Sequence, residues 1–275
     1  MAKRFEGRRA FITGASSGIG AAVARELAAQ GAQVALAARR KDKLEELAGA
    51  IHDTGGTAIA VACDVTDAAS VAAAMTQTIE HFGGLDVVLA NAGFYVDGIL
   101  QQLEPEDYRR QMEVNFFGVV NTTCAALPHL VQSKGCLGIV SSAMGLMAMP
   151  AASAYCASKF AVCGFGEAIY YDLAPQGVAV TLINPGLVAS EIRSINNRQE
   201  HTGKPDPAPQ QFVMPAEKAA RKIANALYKR KPAIILTRMA NVGDFLNRHF
   251  PRTSRVAYKL TGRNKVEKRL KKLAP

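Results

Sequence analysis

Short apolar runs alternate with longer stretches of helical composition along most of this chain. Seven of the runs are short enough to be buried strands: RRAFITG, QVALAARR, TAIAVACDV, LDVVLANAG, CLGIVSS, VAVTLINPG and the shorter AIILT. Between them lie segments such as AAVARELAAQGA and SVAAAMTQTIEHFG, whose composition is typical of helices. Strands that alternate with helices favour βαβ units with right-handed crossovers. The pattern therefore predicts an α/β fold, a doubly wound parallel sheet of about seven strands with helices on both faces.

One long segment interrupts this alternation. Residues 187–214 have little periodicity and contain several prolines. A loop of this length inside a compact domain is usually a functional lid or disordered, and its position directly after a strand favours a substrate lid. We predict a single domain over 1–247 that includes this lid, followed by a C-terminal extension over 248–275.

Composition is ordinary for a globular protein of 275 residues, with 49% hydrophobic and 20% charged residues. No apolar run reaches the ~18 residues of a membrane-spanning helix, and the start lacks the apolar core of a secretory signal. The five cysteines are scattered and contain no C-x-x-C pair, which argues against a disulfide framework or a zinc site. We expect a cytoplasmic protein with reduced thiols and no metal.

The net charge of +10 is concentrated at the C-terminus. The extension 248–275 carries +9, which leaves about +1 for the rest. Val242, Phe245, Leu246 and Phe250 lie at helical spacing, and a thin apolar stripe continues across a predicted break at Gly262. Basic amphipathic segments of this kind can bind anionic membranes, so we predict peripheral contact with the inner face of a membrane. The alternative is that the extension packs on the domain with its lysines in water. No nucleic-acid-binding motif is present, and we predict no such partner.

A glycine-rich turn joins the first strand to the first helix. Its glycines, Gly14, Gly18 and Gly20, permit positive φ and let a pyrophosphate approach a helix N-terminus. The spacing differs from the usual G-x-G-x-x-G fingerprint. The second strand ends in Arg39 and Arg40, where an acidic residue would select NAD; guanidinium groups suit a 2′-phosphate instead. The sequence therefore predicts NADP(H), the alternative being that both arginines only begin a solvated helix.

Tyr155 and Lys159 lie four residues apart in a predicted helix, and Ser142 ends the fifth strand. A positive charge close to a phenol favours the phenolate and lowers its pKa from about 10 towards the range of efficient proton transfer. Other polar or glycine-rich positions also follow strand ends, where ligands of parallel sheets bind. These positions are Gly14, Arg39, Asp64, Asn91, Ser142 and Pro185.

Taken together, these motifs resemble the short-chain dehydrogenase/reductase family over roughly residues 5–237. They comprise Thr13-Gly14-x-x-x-Gly18-x-Gly20, Asp64, Asn91-Ala92-Gly93, Asn115, Ser142, Tyr155-x-x-x-Lys159 and Pro185-Gly186. The resemblance implies a Rossmann-like dinucleotide-binding and catalytic domain. The cofactor residues it implies are Thr13, Gly14, Ser16, Ser17, Gly18, Ile19, Gly20, Arg39, Arg40, Asp64, Val65, Asn91, Ala92, Gly93, Tyr155, Lys159, Pro185, Gly186, Val188 and Ser190.

The resemblance also implies four catalytic residues. Tyr155 would exchange a proton with the substrate oxygen, and Ser142 would hydrogen-bond the carbonyl. Lys159 would hold the nicotinamide ribose and lower the pKa of Tyr155, and Asn115 would anchor a water that links Lys159 to solvent. The expected activity is an NADP(H)-dependent hydride transfer between nicotinamide and a ketone or secondary alcohol.

Residues that flank the catalytic positions predict an apolar pocket and a lipophilic substrate; they are Phe94, Tyr95, Val96, Met144, Leu146, Met147 and Met149. A polar or carrier-bound 3-oxoacyl substrate is the alternative within the same chemistry. A non-catalytic NADP-sensing protein on the same fold is the alternative outside it. The helix from Ser153 is apolar on nearly every face, which predicts a homodimer or homotetramer built through it and the helix that begins near Pro105.

Overall fold

The computed structural model describes residues 3–200, 202–203 and 206–271. Outside the described residues lie 201 and 204–205 of the predicted lid and 272–275 of the predicted extension. One parallel sheet runs through the described chain in the order β3-β2-β1-β4-β5-β6-β7. Its strands are β1 (Arg9–Thr13), β2 (Gln33–Ala38), β3 (Thr57–Ala62), β4 (Val87–Ala90), β5 (Cys136–Val140), β6 (Ala179–Asn184) and β7 (Ala233–Ile235). The seven-stranded α/β prediction is confirmed.

The strand order reverses at β1. This strand pairs with β2 on one side and with β4 on the other, in register Phe11 to Ala35 and Phe11 to Val88. In open parallel sheets, ligands bind outside the carboxyl ends of the strands at such a reversal. The turns that follow β1 and β4 begin with Gly14 and Asn91, so these two turns border the expected crevice.

Helices cover both faces of the sheet. They are α1 (Gly18–Ala29), α2 (Lys41–Asp53), α3 (Ala68–Phe82), α4 (Pro105–Met112), α5 (Gly118–Ser133), α6 (Ser153–Leu173), α7 (Ala216–Tyr228), α8 (Arg238–His249) and α9 (Pro251–Leu270). Leu27, Leu44 and Ile223 from α1, α2 and α7 belong to one buried apolar cluster. Val71, Leu130 and Val162 from α3, α5 and α6 belong to the other. The sheet therefore lies between two hydrophobic cores.

The long helix predicted from Pro105 contains a wider turn in its middle. Glu113–Phe117 form a π-helical turn between α4 and α5. The continuous run Pro105–Ser133 is long and apolar enough to span a membrane by length and composition alone. It contributes Val119 and Leu130 to a core on the sheet, so in this fold it packs as a core helix.

The C-terminal segment forms two helices, and the break predicted at Gly262 is wrong. Helix α9 continues through this residue. A Cβ atom at Gly262 would lie 2.4 Å from Cγ of Pro150, so the glycine allows α9 to approach the loop between β5 and α6. The glycine marks a close contact between segments, not a helix end.

Candidate active site

The carboxyl ends of β1 and β4 are joined by hydrogen bonds between Thr13 and Asn91. The Thr13 hydroxyl oxygen accepts from the backbone N–H of Asn91 at 2.9 Å and of Ala92 at 3.1 Å. The Asn91 side-chain amide donates to the carbonyls of Thr13 at 2.9 Å and of Gly14 at 3.2 Å. These four hydrogen bonds fix the two turns relative to each other.

The glycine turn fits tightly around this junction. Gly14 has a φ of +65°, and a Cβ atom there would lie 2.8 Å from Cα of Ala92. A Cβ atom at Gly20 would lie 2.4 Å from the Gly14 carbonyl oxygen, and one at Gly18 2.9 Å from Cβ of Ser190. Such distances exclude any side chain without movement of the backbone. The spacing of the glycines is therefore a packing requirement of this turn.

The N-terminus of α1 opens from the same turn and has the properties of an anion site. The helix has no acidic residue in its first turn, and the Ser17 side chain makes no capping hydrogen bond. The first backbone N–H groups of a helix and its dipole favour a negative charge. This end of α1 therefore fits the pyrophosphate of a dinucleotide.

A cavity of about 350 Å³ runs along these strand ends. It is lined by the predicted cofactor residues except Thr13 and Gly20, which are buried beside the turn. Ser142 also lines the cavity, whereas Asn115 does not. The structure thus gathers the predicted residues at one edge of the sheet, as the strand-end argument requires.

The two arginines after β2 have different surroundings. Arg40 donates to the Ser16 hydroxyl at 3.0 Å and forms an ion pair with Glu191 at 3.0 Å. Arg39 is exposed, lines the cavity, and has no hydrogen bond or ion pair with any other described residue. The Arg39 guanidinium is therefore the one better placed to receive an added anionic group.

The turn after β3 holds its own polar groups in place. Asp64 accepts hydrogen bonds from the backbone N–H and the hydroxyl of Thr66, at 3.0 and 2.8 Å. The Val65 carbonyl accepts from the side chain of Asn121 at 2.9 Å, and a Cβ atom at Gly118 would lie 2.7 Å from a Val65 methyl group. Both Asp64 and Val65 line the cavity as a fixed wall.

A second cavity, of about 1200 Å³, adjoins the first. Ser142 and Tyr155 line both cavities. The Ser142 hydroxyl oxygen accepts from the backbone N–H of Met144 at 3.1 Å, which leaves its own proton available for donation. Two hydroxyl groups therefore stand at the boundary between a space suited to a dinucleotide and a larger space beside it.

Burial controls the protonation of Tyr155. Its side chain is 8% exposed, and burial raises the pKa of Tyr155 to about 12, opposed by a hydrogen bond with the Ser142 side chain. The expected lowering of this pKa by Lys159 is not seen in the protein alone. A phenolate loses its hydration in the interior, and that penalty outweighs the opposing hydrogen bond of Ser142 and charge of Arg193. At neutral pH the phenol is therefore protonated and can donate.

Lys159 is also buried, and burial lowers the pKa of Lys159 to about 8. Its Nζ atom lies 5.8 Å from the centroid of the Tyr155 ring and donates to the Val140 carbonyl at 2.9 Å. An ammonium group has three donors, so this bond leaves two for a ligand in the first cavity. The lysine is placed between β5 and the cavity, where it can hold hydroxyl groups.

Known proteins match both the sequence and this geometry. Residues 8–201 match the family model described as short chain dehydrogenase. The chain belongs to the short-chain dehydrogenase family. The resemblance drawn from the sequence motifs is thereby confirmed.

Among relatives of this short-chain dehydrogenase is 11-beta-hydroxysteroid dehydrogenase-like 2 of Arabidopsis thaliana, 38% identical over 188 residues, which cover 68% of this chain and 61% of that protein. Across it and two further hydroxysteroid dehydrogenase relatives, the matches span only 54% to 61% of their lengths.

Two solved structures share the fold of this short-chain dehydrogenase. A short chain dehydrogenase/reductase from Burkholderia phymatum in complex with NAD has a TM-score of 0.82 at 25% identity, covering 91% of this chain and 96% of that one. A short chain dehydrogenase from Burkholderia cenocepacia J2315 in complex with NADP has a TM-score of 0.77 at 29% identity, covering 86% and 99%. Structures of similar fold therefore hold either nicotinamide cofactor.

In this short-chain dehydrogenase, the Asn115 side chain forms hydrogen bonds with other parts of the fold. It lies in the π-helical turn, where its Oδ1 atom accepts from the backbone N–H of Phe94 at 3.0 Å. Its Nδ2 atom donates to the Phe94 carbonyl and to the Ser158 hydroxyl, both at 3.1 Å. This side chain connects the turn after β4 to α6. The water expected beside Asn115 stays a prediction.

The apolar residues expected around the pocket divide into two groups. Tyr95, Met144, Met147 and Met149 line the second cavity. Phe94, Val96 and Leu146 pack in or against the core instead. The prediction of an apolar wall therefore holds for the aromatic residue after β4 and for the methionines of the loop before α6.

Sequence reasoning missed several residues of the second cavity in this short-chain dehydrogenase. Arg193 borders both cavities and forms an ion pair with Asp206 inside the predicted lid, and Tyr258 and Arg269 reach the second cavity from α9. The odd placement of Gly262 in a helical stretch was the one local signal for the path of α9. Among the described residues, no group of three His, Cys, Asp or Glu side chains is placed to hold a metal ion.

Proposed function

We propose that this protein is an NADP(H)-dependent oxidoreductase that interconverts a ketone and a secondary alcohol. The observation that carries the proposal is the position of the Ser142 and Tyr155 hydroxyls at the boundary between the two cavities. When bound, a nicotinamide cofactor supplies or accepts the hydride. Tyr155 donates its Oη proton to the carbonyl oxygen during reduction. Ser142 donates a hydrogen bond to the same oxygen, where negative charge develops.

The preference for NADP(H) is supported by Arg39. A 2′-phosphate at the end of β2 would lie beside the Arg39 guanidinium, which has no partner among the described residues. The end of β2 also has no carboxylate that could bind the ribose hydroxyls of NAD. We expect Arg39→Asp to reverse the preference, lowering affinity for NADPH by about 10- to 100-fold, the worth of one charge-assisted hydrogen bond. Arg25→Asp, an exposed position on α1, is the matched control and should leave both affinities unchanged. Equal binding of NADH and NADPH by the unaltered protein would refute this preference.

A lipophilic substrate is supported by the walls of the second cavity. Four methionines, Leu187 and Ile195 contribute apolar surface beside the two hydroxyls. The relative named a hydroxysteroid dehydrogenase agrees with that character. The test is NADPH oxidation over a panel of ketones that includes bulky apolar ketones and a carrier-bound 3-oxoacyl thioester. Turnover of the bulky ketones supports the proposal, turnover of the thioester alone supports the polar alternative, and binding of NADPH without any turnover supports a sensor.

We also propose a homo-oligomer formed through α6. This helix is apolar on nearly every face, and its rings Phe160 and Tyr171 are 45% and 74% exposed. Phe117, the last residue of the π-helical turn before α5, is 43% exposed. The described residues of the lid and of the C-terminal helices do not cover these rings, so a second copy of the chain is the proposed cover. Light scattering at micromolar concentration should show a dimer or tetramer that Tyr171→Glu with Phe160→Glu converts to monomer.

The surface proposed to contact an anionic membrane is the outer face of α8 and α9. Its exposed apolar residues are Val242, Phe245, Leu246, Phe250, Val256, Leu260 and Leu270. Exposed bases such as Arg252 and Lys259 lie on the same helices. Each base close to an anionic surface contributes about 1 kcal/mol, and salt screens the attraction.

This contact with a membrane is tested by charge reversal. The variant Arg252→Glu with Lys259→Glu should lose salt-sensitive sedimentation with phosphatidylserine vesicles. Lys218→Glu with Arg221→Glu, the same charge change on α7, should retain it. Equal sedimentation of both variants would contradict the assignment.

A further inference from the structure

The C-terminal helices pack on the loop that carries Ser142. The Tyr258 hydroxyl of α9 donates to Sδ of Met147 at 3.0 Å, and Gly262 lies against Pro150. From α8, Gly243 approaches Met147 so closely that a Cβ atom would lie 3.0 Å from its Sδ and Cε atoms. The loop between β5 and α6 is therefore covered by α8 and by the predicted extension, through Tyr258 and Gly262 of α9.

Helix α9 is fastened at its far end by Arg269. This guanidinium forms an ion pair with Asp97 and donates to Oε1 of Gln102 at 3.0 Å. The Arg269 side chain is 23% exposed, so the pair is partly shielded from solvent. Neighbouring bases such as Lys268 are exposed on the same turn. Arg269 thus joins α9 to the segment after β4.

Asp97 connects that contact to the catalytic tyrosine. Its Oδ1 atom accepts from the Tyr95 hydroxyl at 3.4 Å, and the Tyr95 ring packs edge-on against the ring of Tyr155 with centroids 4.9 Å apart. The backbone N–H of Asp97 donates to the side chain of Asn197, in the predicted lid, at 3.1 Å. The segment after β4, the lid and α9 therefore meet at Asp97.

Two side chains of α9, Tyr258 and Arg269, line the same cavity as Tyr155 and Ser142. The hydrogen bond of Tyr258 goes to a thioether, which is a weak acceptor. A ligand oxygen is a stronger acceptor and would replace the sulfur as partner of this phenol. Arg269, by contrast, is already paired with Asp97, which suits it to hold α9 in place.

We propose that α9 is a wall of the substrate site, held closed by the Arg269–Asp97 ion pair, and that Tyr258 selects substrates with a second oxygen remote from the reacting carbonyl. The proposal rests on the proposed ketone reduction and adds a substrate class to it, namely lipophilic ketones with a distal hydroxyl, ether or keto oxygen. It also predicts that the tail is needed for substrate recognition.

The ion pair is tested by charge exchange. Arg269→Asp and Asp97→Arg should each raise the KM for bulky ketones about tenfold or more and speed tryptic cleavage of the tail, with the Kd of NADPH within twofold of the parent. The double variant should restore the KM and the protection. Lys268→Ala, the adjacent exposed base, is the control and should match the parent. The role of the ion pair would be overturned if the single variants had the same KM and cleavage rate as Lys268→Ala. It would also be overturned if the single variants were defective and the double variant did not restore them.

The phenol is tested with Tyr258→Phe and a set of aryl cyclohexyl ketones that carry a methoxy oxygen at each ring position or none. In Tyr258→Phe, the KM should rise about tenfold for at least one methoxy-substituted ketone and less than twofold for the ketone without a methoxy group. Equal KM changes across the set would overturn substrate selection by Tyr258. If the unaltered protein reduces none of the ketones, the proposed activity fails, while tryptic cleavage still reports whether Arg269 holds α9.

Discussion

The two cavities of this short-chain dehydrogenase are built in different ways. The first cavity, where we propose that the cofactor binds, is formed by turns at strand ends, and close packing at glycines and hydrogen bonds fix their backbone, as at Gly14 and Asn91. The second cavity, where we propose that the substrate binds, is formed by methionine side chains, the predicted lid and α9. Only a few residues, Tyr155 and Ser142 among them, belong to both.

This difference separates two kinds of function. A site made from backbone at the edge of a sheet cannot vary without damage to the fold, so it suits a cofactor that does not change. A site made from side chains and added segments can change its shape while the sheet persists, so it suits the choice of substrate. Substitutions in the first cavity should therefore affect all substrates equally, and those in the second should affect them unequally.

The largest effect is expected at the boundary. Tyr155→Phe keeps the ring against Tyr95 and removes only the proton, so kcat should fall by roughly 10²- to 10⁴-fold for every ketone. The Kd of NADPH should change less than twofold, as measured by fluorescence titration. Tyr171→Phe, on the exposed face of α6, controls for loss of a phenol and should be fully active. Loss of NADPH binding together with turnover would instead assign Tyr155 a structural role.

Next in size is the glycine turn. Gly20→Ala introduces a Cβ atom 2.4 Å from a backbone oxygen, so the turn must move. Overpacking of this kind costs about 1–3 kcal/mol, and we expect weaker NADPH binding with the KM values of all ketones affected alike. Gly49→Ala in α2, where a Cβ atom meets nothing within 4 Å, should stabilise the protein by about 0.5–1 kcal/mol. Urea unfolding measures the stability of both variants, and titration measures their affinity for NADPH. Equal changes in stability and affinity at Gly20 and Gly49 would contradict the role of close packing at Gly20.

The same contrast explains which parts could be predicted from the sequence. The strand ends, the glycine turn and the four-residue spacing of Tyr155 and Lys159 are local patterns, and the topology of a parallel sheet brings strand ends together. The contacts of α9 have no local pattern. Tyr258 meets Met147 across 111 residues, and Arg269 meets Asp97 across 172, so their pairing depends on how two helices pack on a finished domain.

The protonation states of Tyr155 and Lys159 could not be predicted from their spacing in the sequence either. The spacing of Tyr155 and Lys159 correctly predicts that they are neighbours, but a pKa depends on how much water remains around each group. Both side chains are almost fully buried, and this desolvation raises the pKa of the phenol to about 12 and lowers the pKa of the lysine to about 8. A sequence shows proximity along a helix but not the depth at which that helix lies.

A moderate effect of pH is expected from Lys159. Its pKa is about 8 in the folded protein against 10.5 for the free group, so between these values the unfolded chain binds more protons. The contribution of Lys159 to the free energy of unfolding should therefore rise with pH in this window, by up to about 1.4 kcal/mol per pH unit. The thiols of Cys63, Cys136, Cys156 and Cys163 contribute with the opposite sign above their free pKa, because burial raises the pKa of each. The stability difference between the unaltered protein and Lys159→Met should therefore change with pH, whereas the difference from Lys218→Met, on the surface of α7, should stay constant. Urea unfolding at several pH values below 10 provides the measurement, and a constant difference from Lys159→Met would contradict the lowered pKa of Lys159.

The smallest effect is expected within the wall of the substrate cavity. Met147 is buried, contacts Gly243 and accepts the hydrogen bond of Tyr258, so Met147→Leu keeps most of its volume while it removes the sulfur. Volume-conserving exchanges of this type usually cost less than about 1.5 kcal/mol. The KM values of bulky ketones should shift by up to about tenfold and in different directions for different ketones, with NADPH affinity unchanged. Met75→Leu is the matched control, since this methionine is equally buried in the core near α3 and lines neither cavity. Met75→Leu should alter the free energy of unfolding slightly and leave the KM of every ketone unchanged. If both variants shift all KM values by one common factor, the two cavities do not act independently.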